Sequence, residues 1–81
     1  MKNFEQKVTV ITGASGGLGR AFADQAVLRK MRLVLGDVRD DALQATLAEL
    51  KAQGAEAVAL AGDVSKSEYV AALAELARST F

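Results

Sequence analysis

Residues 8–22 read VTVITGASGGLGRAF, and this stretch decides the fold. Its first five residues, Val8–Thr12, are all β-branched, which stiffens the side chains and suits a strand. A short run of this kind, with no polar alternation, predicts a strand buried on both faces. Gly13, Gly16, Gly17 and Gly19 then follow within seven positions, although the whole chain has only 7 glycines. From about Gly17 to Lys30 the apolar residues Leu18, Phe22, Ala26 and Val27 recur on one helical face. The reading is therefore strand, glycine-rich turn, helix.

Downstream, the apolar period switches twice more. Arg32–Asp37 contains Leu33-Val34-Leu35, a second buried-strand signal. Leu43, Leu47 and Leu50 then recur at i, i+4 and i+7, predicting an amphipathic helix from about Asp40 to Gln53, with Gly54 as its stop. Ala55–Leu60 reads as a third strand. Ser65-Lys66-Ser67-Glu68 has the S-x-x-E form of a capping box, and behind it Val70, Leu73, Ala74 and Ala77 form a third helical stripe. The order βαβαβα with short connections predicts an α/β fold of three layers around a parallel sheet. Right-handed crossovers are nearly obligatory; if the chain winds like a mononucleotide-binding half, the strand order is 3-2-1, with the first two helices on one face and the third on the other.

The bulk properties bound the rest. The chain has 81 residues, 51% of them apolar and 25% charged, without proline, which describes an ordered unit of one domain or part of one. Ten basic and ten acidic side chains cancel and are interspersed, so the basic face of a nucleic-acid binder is missing and no nucleic-acid partner is expected. The absence of cysteine excludes disulfides and thiol chemistry, and the absence of histidine removes the commonest general base and metal ligand. The start MKNFEQK is charged and lacks the apolar core of a secretory signal. No apolar run approaches the ~18–20 residues that span a bilayer. The expectation is a soluble, cytoplasmic chain with no membrane partner.

The glycines now acquire jobs. At a strand–helix junction Gly13 can take the tight turn, Gly17 can let a pyrophosphate approach the backbone, and Gly19 can let the helix pack on the strand. The amides of the first helical turn and the helix dipole favour an anion there. Asp37 ends the second strand 20 residues beyond Gly17, where a carboxylate can accept hydrogen bonds from an adenosine ribose. A P-loop is excluded because no Gly-Lys-Ser/Thr closes the turn. Together these features predict a dinucleotide site.

Thr12-Gly13-Ala14-Ser15-Gly16-Gly17-Leu18-Gly19 resembles the TGxxxGxG motif of the short-chain dehydrogenase/reductase family, in the spacing of its compact branch. Asp63-Val64 resembles the family's adenine-pocket pair, so the resemblance runs from Val8 to Val64. It implies a Rossmann-type doubly wound parallel sheet, of which residues 1–81 are the N-terminal part. It also implies that Thr12 stabilises the loop, that Ser15 and Leu18 face the phosphates and nicotinamide side through their backbone, and that Asp63 meets the adenine amino group. Asp37 implies NAD rather than NADP, because a carboxylate repels a 2′-phosphate; Arg39, two residues on, tempers that preference. Met31 departs from the family pattern, in which a glycine often ends the helix.

The implied reaction is hydride transfer between the nicotinamide and an alcohol or carbonyl substrate. The family's Ser, Tyr and Lys catalytic groups cannot be placed here: Tyr69 is the sole tyrosine, and Leu73 stands where a lysine would follow. Tyr69 is read instead as a partly buried aromatic. Two readings stay open, the cofactor-binding part of an oxidoreductase that forms homo-oligomers and a free-standing nucleotide-binding or interaction module. On either, these 81 residues alone are expected to be catalytically inactive.

Overall fold

The computed structural model describes residues 7–81; the expectation about the charged N-terminus falls mainly on residues outside this range. Three strands, β1 (Val8–Thr12), β2 (Arg32–Asp37) and β3 (Ala57–Ala61), alternate with three helices, α1 (Gly17–Leu28), α2 (Asp40–Ala52) and α3 (Ser67–Thr80). The strands form one parallel sheet with β2 in the middle. Its register pairs Thr12 with Gly36 and Asp37 with Ala61, so the carboxyl ends of all three strands open at one edge. In open α/β sheets that edge is where ligands bind.

β2 is flanked by strands on both sides and by helices on both faces. Leu33, Val34 and Leu35 are accordingly fully buried, and each such side chain contributes about 1.5–3 kcal/mol relative to exposure. Leu33 and Leu35 point into the core beneath α1 and α2, with Ile11, Ala23, Ala26, Leu43, Leu50 and Ala57. Val34 points the other way, toward Tyr69 and Leu73 of α3. The expected assignment of helices to faces is therefore present.

Several local expectations need correction. β1 is not buried on both faces: Val8 and Val10 remain 41% and 46% exposed, because on the side opposite the buried Ile11 they lie outside the cluster that α3 packs around Val34, and β1 is also an edge strand. On α1 the core side is formed by Ala23 and Ala26, while Leu18 and Phe22 are exposed. On α3 the buried face is Tyr69 and Leu73, with Leu76 and Ala77 packed beside them, and Val70 and Ala74 face outward. The expected capping box does not form either. The N-cap is Lys66, with no side-chain cap bond, because the Ser65 amide donates to Asp63 Oδ1 at 2.9 Å and turns the chain before the helix begins.

The helix ends follow the same logic. Gly54 takes φ +93° beyond α2, and the Gly54 and Ala55 amides donate back to Lys51 and Leu50, closing a Schellman motif. α1 closes identically through Lys30 and Met31, whose amides reach Val27 and Ala26. Lys30, at φ +59°, takes the left-handed position. The departure at Met31 thus leaves the turn intact, with the strained residue one place earlier. The third strand begins at Ala57 rather than Ala55 because Ala55 is used in the α2 cap.

Candidate functional site

The loop between β1 and α1 is shaped by two glycines. Gly13 adopts φ +63°, a conformation costly to a residue bearing a Cβ. At Gly19 a Cβ would overlap the Gly13 carbonyl, so the helix can sit this close to the loop only without a side chain. At Gly17, by contrast, a Cβ would meet nothing within 4 Å. Its backbone faces open space at the carboxyl edge of the sheet. The N-cap of α1 is Gly16, which offers no capping side chain, and no acidic residue lies in the first turn. The positive end of the helix dipole is therefore left without an anion from its own cap.

Asp37 ends β2 beside this loop and is only 5% exposed. Its Oδ2 accepts from the Ser15 amide at 3.1 Å and from the Ser15 hydroxyl. Its Oδ1 accepts from the Arg39 amide at 3.1 Å, and the Arg39 Nε lies 3.5 Å away. The Arg39 guanidinium also donates to the Ser15 hydroxyl at 3.1 Å. Burial alone would raise the Asp37 carboxyl. The Ser15 hydroxyl, the Arg39 and Ser15 amides and the Arg39 side chain outweigh it and hold the group well below the ordinary carboxylate range. Asp37 is thus an ionised carboxylate at neutral pH. Oδ1 has one backbone donor and can accept a further hydrogen bond, and the guanidinium beside it belongs to a side chain that is 60% exposed.

A cavity of about 420 Å³ opens beside this carboxylate, lined by Thr12, Gly13, Asp37, Val38, Gly62, Asp63 and Val64. The structure thus brings Thr12, Gly13, Asp37, Asp63 and Val64 to one cleft, with Gly17, Leu18 and Gly19 at the adjoining helix start. Val64 is 54% exposed and Leu18 72% exposed. Asp63 is exposed, and its carboxyl is held low by hydrogen bonds from Ser65. Ser15 differs from expectation in one respect: its amide is committed to Asp37 rather than directed at the open side of the loop. Gly62 was assigned no role from sequence. Its signal was legible, since a glycine interrupting the end of an apolar strand marks a close approach.

Tyr69 lies across the sheet from α1 and α2, 8% exposed, with its hydroxyl donating to the Leu60 carbonyl at 2.5 Å. The expectation of a partly buried aromatic agrees with this placement. Among the described residues no group of three or more carboxylates could hold a metal ion. Nor is any of their helices long and apolar enough to cross a membrane.

Comparison with known proteins agrees with this geometry. The family model for short chain dehydrogenase matches residues 7–81. The chain is 37% identical over 81 residues to a CLA biosynthesis dehydrogenase/reductase of Lactiplantibacillus plantarum, covering all of this chain and 28% of that protein. Among solved structures, it is similar to a short chain dehydrogenase/reductase from Burkholderia phymatum in complex with NAD. The identity is 47% and the TM-score 0.95, over 100% of this chain and 29% of that one. A hydroxysteroid dehydrogenase from Escherichia coli superposes with a TM-score of 0.89 at 28% identity, covering 96% of this chain and 33% of that one. The chain therefore spans less than a third of the length of these relatives.

Proposed function

The chain belongs to the short chain dehydrogenase family, and on that footing we propose that residues 7–81 are the NAD-binding part of an oxidoreductase. The observation that supports this most directly is the convergence at one sheet edge of an uncapped helix start and an ionised, buried carboxylate. The two suit the two polar ends of an adenosine diphosphate, an anion and a ribose diol. The pyrophosphate lies against Gly13–Gly19, where the open side of Gly17 admits it. Thr12 supports the loop from the end of β1, and Leu18 lines the nicotinamide side. Asp37 accepts from the ribose after the Arg39 side chain swings aside. Asp63 and Val64 border the adenine.

Ser15 acts here through Asp37, which its amide and hydroxyl hold in place. NAD is favoured over NADP because an ionised carboxylate at the ribose repels a 2′-phosphate.

When bound, the nicotinamide supplies or takes up the hydride; the residues of this chain bind and orient. On this reading the described residues provide no general acid or base. The Tyr69 hydroxyl is committed to Leu60 on the other face of the sheet, and Leu73 follows it on the same helix. The parent reaction, hydride transfer to or from a small alcohol or carbonyl compound, accordingly draws its Ser, Tyr and Lys groups from protein outside these 81 residues. The same reading gives a cytoplasmic homo-oligomer, the unpaired edge of β1 and the exposed Phe22 offering surfaces to cover.

Fluorescence titration of Asp37→Ala with NAD and NADP tests the reading. Loss of the ribose hydrogen bonds to a charged acceptor should weaken NAD about tenfold or more and move the NAD/NADP ratio toward parity. An unchanged ratio would remove Asp37 from the site.

A further inference from the structure

We propose that Tyr69 positions the adenine wall of the cofactor site, acting from the opposite face of the sheet. This deepens the reading above, since it rests on Gly62-Asp63-Val64 bordering the adenine. Tyr69 stands in the first turn of α3 and fills space left by two glycines. A Cβ on Gly62 would overlap its ring carbons, and a Cβ on Gly36 would overlap its hydroxyl oxygen. These glycines immediately precede the two site carboxylates, Asp63 and Asp37. The hydroxyl bonds to the Leu60 carbonyl of β3, two residues before Gly62. One side chain thus touches the backbone just upstream of both carboxylates.

The main chain carries this contact into the site. The Gly62 amide donates to the Asp37 carbonyl at 2.9 Å, tying the two strand ends together above the ring. The Asp63 carbonyl accepts from the Lys66 amide at 2.9 Å, and the Lys66 carbonyl accepts from the Tyr69 amide at 3.1 Å. Asp63 is therefore linked to Tyr69 along the chain as well as through packing. Because glycines supply no side chain of their own, removal of the ring leaves a void directly beneath the segment. The Gly62-Asp63-Val64 segment can then sink toward it. Burial pushes the phenol up and outweighs the Asp37 backbone amide, which lowers it, while the Asp37 charge adds a smaller rise, so the hydroxyl keeps its proton at neutral pH and remains a donor.

The test titrates wild type, Tyr69→Phe, Tyr69→Leu and Tyr69→Ala with NAD and with nicotinamide hypoxanthine dinucleotide, which lacks the adenine amino group. Folding is checked by circular dichroism. Wild type should prefer NAD. Tyr69→Ala should bind NAD about tenfold less well, the value of one lost hydrogen bond, and lose the preference between the two bases. Its preference against NADP, set by Asp37, should survive. Tyr69→Phe keeps the ring and should restore base discrimination, which a general loss of stability would not predict. If Tyr69→Ala does not fold, Tyr69→Leu carries the same expectation. A folded Ala or Leu variant with undiminished NAD affinity and base preference overturns the positioning role while leaving the site reading intact. A wild-type chain indifferent to the base overturns the adenine-wall reading and this proposal with it.

Discussion

Replacing Asp37 by Asn separates the charge of the site from its shape. The carboxylate satisfies the Ser15 amide and hydroxyl through one oxygen and the Arg39 amide through the other. An Asn side chain has the same outline but only one acceptor atom. Turned to keep the Ser15 pair, it points its own donors at the Arg39 amide and guanidinium. One hydrogen bond to a charged acceptor is then lost, at about 1.5–3 kcal/mol, and a buried donor is left unmatched. The net cost should be about 2–3 kcal/mol. A chain of 81 residues has roughly 4–12 kcal/mol in total, so this is a large fraction.

Urea unfolding followed by circular dichroism should show it directly. At an m-value of about 1 kcal/mol/M, the midpoint should fall by roughly 2–3 M. The pH dependence supplies an independent check. The Asp37 carboxyl titrates lower in the folded than in the unfolded chain. Its contribution is therefore complete above the unfolded value of about 3.9 and is lost as pH falls below it, at up to ~1.4 kcal/mol per pH unit. The wild type should lose stability steeply below about pH 4, and the Asn variant less steeply, so the two should converge in acid. A midpoint shift under about 0.5 M, or parallel pH profiles, would refute the network as the origin of stability at this corner.

Two further outcomes follow from packing. Gly19→Ala gains helix propensity but forces a Cβ onto the Gly13 carbonyl, and the overlap should dominate, destabilising by about 1–3 kcal/mol and lowering Tm by roughly 5–15 °C; a Tm equal to wild type would contradict the close approach. The 81-residue chain should also associate as concentration rises, because β1 is an open edge and Val10, Leu18 and Phe22 are exposed; light scattering that reports a monomer of 8.5 kDa throughout a concentration series would count against this.

Element order was legible because the apolar period changes at each boundary and the turn residues lie between. The β-branching of Val8–Thr12 favours a strand over a helix, and the i, i+4, i+7 spacing of Leu43, Leu47 and Leu50 favours a helix over a strand. The assignment of α1 and α2 to one face and α3 to the other follows from right-handed crossovers in a mononucleotide-binding winding and agrees with the two cores. The jobs of Gly13 and Gly19 were legible too, since a left-handed turn and a close helix–strand approach leave glycine as the residue that fits. The lock of Ser15 and Arg39 on Asp37 was not. Sequence places Arg39 two residues from Asp37, but whether its guanidinium reaches Ser15 depends on loop torsions that no periodicity encodes.

Leu18, Phe22, Val70 and Tyr69 show where apolar patterning stops being informative. All four are apolar or aromatic at helical spacings, and a stripe analysis treats them alike. The structure separates them by what each helix has in front of it. α1 lies over the sheet on the side where Ala23 and Ala26 meet Leu33 and Leu35, small residues permitting close approach, so Leu18 and Phe22 are turned past the rim of β1. α3 crosses β1 and β2 from the other side, where Gly36 and Gly62 leave room for one large ring, and Tyr69 rather than Val70 occupies it. The deciding information was therefore in the glycines opposite, not in the stripe itself. Two glycines at neighbouring strand ends, followed by a single aromatic in the next helix, specify a contact across the sheet in the way that an i, i+4 pair specifies one along a helix. That contact joins the core to the cleft. The same absence of side chains that lets Tyr69 approach makes its ring the nearest support beneath Gly62, at the start of the segment bearing Asp63.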